Sequence, residues 1–166
     1  MILIALGANL SSRFGEPEET LNVAVSALEK AGIEVLEVSS VWLTAPVPAS
    51  DQPWYRNAVA RVDTQLGLPQ LLGVLQSIED DFGRVRSVRN APRLLDLDII
   101  ACNDVVSDKG DCLVPHPRMH IRAFVLKPLQ EVAPGWIHPV LGLSVEELIE
   151  MLPAGQEIQR FDVRAA

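Results

Sequence analysis

Between residues 89 and 100 the chain reads Arg-Asn-Ala-Pro-Arg-Leu-Leu-Asp-Leu-Asp-Ile-Ile, so that Arg89 and Arg93 lead directly into the carboxylates of Asp96 and Asp98. The flanking Leu95, Leu97, Ile99, Ile100 and Ala101 are the residues of a buried strand. Side chains alternate across a strand, which puts Asp96 and Asp98 on one face and Leu97 and Ile99 on the other. Two carboxylates side by side repel each other unless a cation lies between them. Hard oxygen donors suit magnesium, which keeps its waters and takes substrate phosphates as further ligands; arginines grip those phosphates bidentately. The chemistry expected is a metal-bound polyphosphate site. A D-x-D also arises by chance as a turn cap or a solvated pair, but unpaired carboxylates on a buried strand are costly.

The charge distribution agrees. The chain is acidic, with a formal net charge of −8, yet 8 of its 14 Lys and Arg residues lie between Arg84 and Lys127. That asymmetry predicts a local anion site in a molecule whose mean field repels nucleic acid. With 166 residues and 48% hydrophobic content, a single domain over 1–166 with a core of its own is expected. The opening Met1-Ile2-Leu3-Ile4-Ala5-Leu6 has no basic leader, and no apolar run reaches the length of a membrane span, so a cytoplasmic chain without a membrane partner is expected. Cys102 and Cys112 lack C-x-x-C spacing and read as reduced thiols. No H-E-x-x-H and no Walker A string occurs, so neither a zinc site of that kind nor a P-loop cradle is predicted.

Elements to position the acidic pair follow from periodicity. Residues 2–6 read as a buried strand. Pro17 opens a helix with Leu21, Ala24, Val25 and Leu28 on its apolar stripe, closed by Lys30 and Gly32. Residues 33–44 read as one strand with a bulge or edge position where Val35 and Leu36 adjoin. A proline-broken loop, 45–53, precedes a strand over 57–64, and Pro69 opens a second helix carrying Leu71, Leu72, Leu75 and Ile78, ended by Gly83. With the strand around Asp96 the order is β-α-β-β-α-β, the ferredoxin-like arrangement, an α+β sandwich in which both helices cover one face of an antiparallel sheet and leave the other open. Additions follow: a turn at Asn103-Asp104, a hairpin about Asp108-Lys109-Gly110, a helix near 122–129, and a short helix opened by the capping box Ser144-Val145-Glu146-Glu147. Beyond Gly155 the chain reads as either frayed or strand-like.

Five strings occur in order: Leu6-Gly7-Ala8-Asn9-Leu10, Asp51-Gln52-Pro53-Trp54-Tyr55-Arg56-Asn57-Ala58, Arg93-Leu94-Leu95-Asp96-Leu97-Asp98, Pro115-His116-Pro117-Arg118-Met119 and Arg122-Ala123-Phe124-Val125-Leu126. Together they resemble the 6-hydroxymethyl-7,8-dihydropterin pyrophosphokinase family of folate synthesis. The resemblance implies transfer of the β,γ-diphosphate of ATP to the hydroxymethyl group of a reduced pterin, with release of AMP, on a ferredoxin-like scaffold. It implies two Mg²⁺ ions on Asp96 and Asp98, with Arg84 and Arg93 as the transition-state arginines. It places Gln76, Glu79, Arg86, Ile99, His116 and Arg122 at the nucleotide. On the pterin side it places Tyr55 and Phe124 as sandwiching rings, Asn57 on the pyrimidinone edge, and Thr44, Ala45 and Val47 as the neighbouring loop. The partners implied are ATP and the pterin, and a monomer is expected.

Read by themselves, Arg84, Arg86 and Arg89 also fit a solvated basic loop, Gln76 and Glu79 a solvated helix face, and Phe124 a core position. Trp54, beside Tyr55, is either the exposed or the buried neighbour. The loop from Gly83 to Pro92 is long, polar and basic, as a segment that closes over substrates would be. Departures from the family pattern are Asn90-Ala91, where many members have Trp and Gly; Ala45 in place of a common proline; and Asp111 with Leu113, where relatives can carry Arg and Thr. Two other readings share part of the evidence. A nucleotide-sugar enzyme would need the metal pair without a pterin pocket. An RNA-binding sheet would need exposed aromatics and a basic face, against which stand the acidic total and 5% aromatic content.

Overall fold

The computed structural model describes residues 1–46, 48–83 and 92–161. The apolar run Ile2–Ala8 forms strand β1, an interior strand of the sheet, and Tyr55–Asp63 (β4) and Asp96–Cys102 (β5) pair with it antiparallel on its two sides. Helix α1, Pro17–Lys30, starts where sequence reasoning put it. The Glu16 N–H donates to Glu19 Oε2 at 2.7 Å, acidic Glu18 and Glu19 sit at the positive end of the helix dipole, and Lys30 lies at the other. Helix α2, Leu68–Asp81, begins with the Gly67 N–H donating to Gln70 Oε1 at 3.1 Å. Both helices bury their stripes, Leu21, Ala24 and Leu28 on α1 and Leu71, Leu75 and Ile78 on α2, against Ile4, Leu6, Ala60, Leu97 and Ile99 of the sheet.

The segment read as one strand over 33–44 is two. β2 (Glu34–Val38) and β3 (Trp42–Thr44) both pair with β4, at opposite ends of it. The predicted irregularity at Val35-Leu36 is present as a register shift between Val35 and Glu37. The break between the strands is stabilised by Ser39, whose backbone N–H donates to the Val59 carbonyl while its Oγ accepts the Val59 N–H, both at 2.9 Å. A serine side chain competing with the ladder for a backbone donor is a local effect that alternation does not reveal.

Helices α3 (Ala123–Val132) and α4 (Val145–Glu150) follow, then strand β6 (Ile158–Arg160), which pairs with β3, so of the two readings beyond Gly155 these three residues are strand. The predicted capping box of α4 forms: Glu147 N–H donates to Ser144 Oγ at 3.1 Å and Ser144 N–H to Glu147 Oε1 at 3.3 Å. The strand order is β5-β1-β4-β3-β6 with β2 beside β4, a ferredoxin-like α+β sandwich with an added edge strand. One expectation is corrected. The face opposite α1 and α2 is not left open, because Val125, Leu126, Leu129 and Val132 of α3 cover Leu3, Val59, Ile100 and Ala101. The reason is apolar area. A third amphipathic helix follows the sheet, and the second face of β1, β4 and β5 offers it an apolar surface to cover. In β5 the register passes over Ile100, between the pairs Leu3–Ala101 and Ile4–Ile99, which turns Ile100 and Ala101 both toward α3. Among the described residues no helix is long and apolar enough to cross a membrane.

Candidate functional site

The register of β1 decides what lies beside the acidic pair. Gly7 is opposite Asp96 on one side and Asn57 on the other; Ala5 is opposite Asp98 and Val59. Asp96, Asp98, Asn57 and Tyr55 therefore share the sheet face that carries α3, as alternation on β5 and β4 requires. Asp96 and Asn57 stand two strand spacings apart, about 10 Å. Gly7, lying between them, has a stated reason to be glycine: a Cβ there would sit 2.7 Å from Asn57 Oδ1. The buried Asn57 side chain keeps its Oδ1 in the space that this missing atom leaves beside β1, and on the other side its Nδ2 donates to Thr44 Oγ1 of β3 at 2.7 Å.

Arg93 Nη1 lies 2.9 Å from Asp96 Oδ1, in a half-exposed ion pair. The backbone of Arg93 is held at both polar groups by one residue: its N–H donates to Asn9 Oδ1 at 2.9 Å and its carbonyl accepts the Asn9 N–H at 3.1 Å. Asn9 is 1% exposed, and its Nδ2 also donates to Gln52 Oε1 at 3.1 Å and to the Pro53 carbonyl at 3.0 Å. It thereby ties the end of β1 to Arg93 and to the loop before Tyr55. Sequence reasoning gave Asn9 no role. The available signal was a polar residue at the end of a fully apolar strand, where burial requires every amide group to find a partner.

Tyr55 and Trp54 are both half-buried, so neither is the fully buried partner of the other. Burial pushes the Tyr55 phenol above its ordinary value, with Arg93 acting to lower it and Asp96 to raise it, which places the ring within the field of the acidic site. His116 is anchored by its backbone N–H to the Ile100 carbonyl at 2.8 Å, and its Nδ1 accepts the Arg118 N–H at 3.1 Å. Burial first, then the Arg122 charge, lowers it to about 4, so it is neutral at pH 7. The Arg122 guanidinium lies 5.3 Å from the Phe124 ring centroid, and that half-buried ring sits in the first turn of α3.

The two α2 residues part company. Gln76 is exposed, whereas Glu79 is buried and its Oε2 accepts the N–H of Leu97, the residue between the two aspartates, at 2.9 Å. Ile99 points into the core under α1 and α2. Ala45 is half-buried and donates its N–H to Glu157. Arg84, Arg86, Arg89, Asn90, Ala91 and Val47 lie outside the described residues, and the structural expectations placed on them stand where the sequence left them.

Another histidine, the buried His138, accepts the N–H groups of Val140 and Leu141 on Nδ1 at 3.2 and 3.1 Å, and burial, with His120 beside it, lowers its pKa. Both His116 and His138 resist protonation in the folded chain, so below about pH 6.5 the unfolded chain binds more protons and stability falls with pH. Denaturant midpoints are expected to drop as pH falls from about 6.5 to about 4; a flat profile would mean that neither ring is held neutral.

The architecture is that of a ferredoxin-like α+β protein with an acidic pair, an arginine and a buried amide–hydroxyl pair on one sheet face. The family model described as 7,8-dihydro-6-hydroxymethylpterin-pyrophosphokinase matches residues 3–134, and the chain belongs to that family. It is similar to the 2-amino-4-hydroxy-6-hydroxymethyldihydropteridine pyrophosphokinase of Pseudomonas aeruginosa, 39% identical over 153 residues that make up 92% of this chain and 91% of the relative. The protein of that name from Bacillus subtilis is 42% identical over 130 residues, 78% of this chain and 75% of the relative. The folic acid synthesis protein fol1 of Pneumocystis carinii is 38% identical over 154 residues, but this chain spans only 20% of its length.

Proposed function

We propose that this protein transfers the β,γ-diphosphate of ATP to 6-hydroxymethyl-7,8-dihydropterin. The hydroxymethyl oxygen bonds to the β-phosphorus, the bond from that phosphorus to the α,β-bridging oxygen breaks, and AMP leaves as the hydroxyl proton is lost. The observation that supports the proposal is the sheet row Asp96–Gly7–Asn57, in which a carboxylate and a buried amide lie about 10 Å apart on one face. Family membership and the relatives' names support it.

In this reading Asn57 offers donor and acceptor groups to the rim of the pterin, helped by Thr44, Ala45 and Val47, and Tyr55 and Phe124 stack on its faces. Gln76, Arg86, His116 and Arg122 line the nucleotide, with His116 neutral and so a hydrogen-bonding group, and Ile99, whose side chain is in the core, would meet it through its backbone alone. Glu79 serves the same site by holding the backbone of β5 at Leu97. Arg84 and Arg93 act on the transferring group. Asp96 and Asp98 would hold two Mg²⁺ ions. The donors fit: two carboxylates on one face of β5 supply hard oxygens, the donors that magnesium takes beside water and phosphate oxygens. The chemistry that bound magnesium supplies is neutralisation of charge on those oxygens. Incubation with ATP, Mg²⁺ and the pterin should release AMP in step with the pterin diphosphate; no AMP above a no-pterin control would refute the proposal.

Gly7→Ala gives a second check. The added Cβ must displace an asparagine anchored to Thr44, so the fold is expected to survive while pterin affinity falls about tenfold, the effect of one lost hydrogen bond at a buried site. Calorimetric titration with the pterin measures it, and unchanged affinity would remove Asn57 from the pterin site.

A further inference from the structure

Residues 156–161 lie beyond the stretch that the family model matches, yet they touch both walls of the proposed pterin slot. Gln156 faces α3. Its Oε1 accepts the N–H of Ala123 at 2.8 Å, and its Nε2 donates to the carbonyls of Ile121 at 2.9 Å and Pro153 at 3.3 Å. Ala123 is the first residue of α3 and Phe124 the second. First-turn N–H groups have no partner within a helix, and the residue at the N-cap, Arg122, makes no side-chain cap. Gln156 supplies what the helix lacks, from a distant part of the chain.

The next residue faces the other wall. The Glu157 carbonyl accepts the Ala45 N–H at 3.1 Å, after which Ile158, Gln159 and Arg160 pair with Thr44, Leu43 and Trp42. β3 is three residues long, and its Thr44 Oγ1 is the group that orients Asn57. Further on, the Arg56 guanidinium lies 5.0 Å from the Phe161 ring centroid, fastening the same segment to β4. Two consecutive residues thus bridge the start of α3 to the end of β3.

From this bridge we infer that Gln156 is a positioning residue for pterin recognition, setting with the Glu157 backbone the gap between Phe124 and the Thr44–Asn57 floor. The inference rests on the pyrophosphokinase reading. A flat ligand stacked between fixed walls is sensitive to their spacing, because a gap of about 0.5–1 Å already forfeits a quarter to a half of the dispersion well. Losing the Gln156 side chain frees the first turn of α3 to move relative to β3 and leaves the acidic pair on β5 untouched.

The test compares wild type, Gln156→Ala, Gln156→Glu and a stability control, Ile33→Val, a fully buried site on the α1 side of the sheet. Equilibrium binding is measured for a non-hydrolysable ATP analogue alone, and for 6-hydroxymethyl-7,8-dihydropterin in its presence. Gln156→Ala is expected to weaken the pterin about tenfold and the nucleotide by less than about twofold. Gln156→Glu keeps an oxygen for the Ala123 N–H but loses the donor to Ile121, and should recover part of the loss. Ile33→Val should leave pterin affinity at the wild-type value. Equal pterin affinity for wild type and Gln156→Ala overturns the inference, as does an equal loss in Ile33→Val, which would make the effect one of stability alone. No pterin binding by wild type itself overturns the functional reading instead.

Discussion

Asp96→Ala and Asp98→Ala are each expected to lower AMP formation by about a thousandfold or more, the scale seen when charge stabilisation at a transferring group is removed. The fold should remain. Both side chains are partly exposed, and the neighbours that hold β5 in place, Leu97 and Ile99, lie on the other face. Asp96 loses its Arg93 partner, but a half-exposed ion pair contributes no more than about 1 kcal/mol. Thermal melting should therefore stay close to wild type while turnover at saturating Mg²⁺ collapses. Near-normal turnover in either variant would show that the pair holds no metal needed for the reaction.

Arg93→Ala carries the next largest effect. Asn9 clamps the arginine's backbone through both its N–H and its carbonyl, so the guanidinium extends from a fixed point to within 2.9 Å of Asp96. A group anchored in that way is suited to meet charge that develops on the transferring group, where a preorganised donor is worth most. The expected result is a fall in kcat of about a hundredfold with a much smaller loss of ATP affinity. Arg84→Ala should behave in the same way, and Arg86→Ala should show the reverse split. Steady-state kinetics beside equilibrium nucleotide binding separates the two effects. Weakened ATP binding with kcat unchanged at Arg93 would make it a ground-state anchor.

The order of elements was readable because each is specified over a few neighbouring residues. Pro17, the stripe Leu21-Ala24-Leu28 and Gly32 mark α1, and Ser144 with Glu147 marks α4, all without reference to the rest of the chain. The single strand expected over 33–44 failed at Ser39, whose Oγ takes a ladder N–H from a strand twenty residues on. The side chain of Glu79 was expected at the nucleotide; burial under β5 and the hydrogen bond to Leu97 became visible only once α2 was packed.

The chain's local chemistry came from sequence alone: that Asp96 and Asp98 share a face, and that arginines cluster beside them. These follow from the period of a strand and the charge of side chains, which depend on nearest neighbours. Which strand lies between the two halves of the site was decided by tertiary structure. Gly7 meets both Asp96 and Asn57 only because β1 is the central strand of β5-β1-β4, and pairing partners that far apart in sequence are selected by burial of the whole apolar set rather than by any local signal. The same holds for Asn9 and Gln156, whose hydrogen bonds join segments that the chain itself keeps far apart.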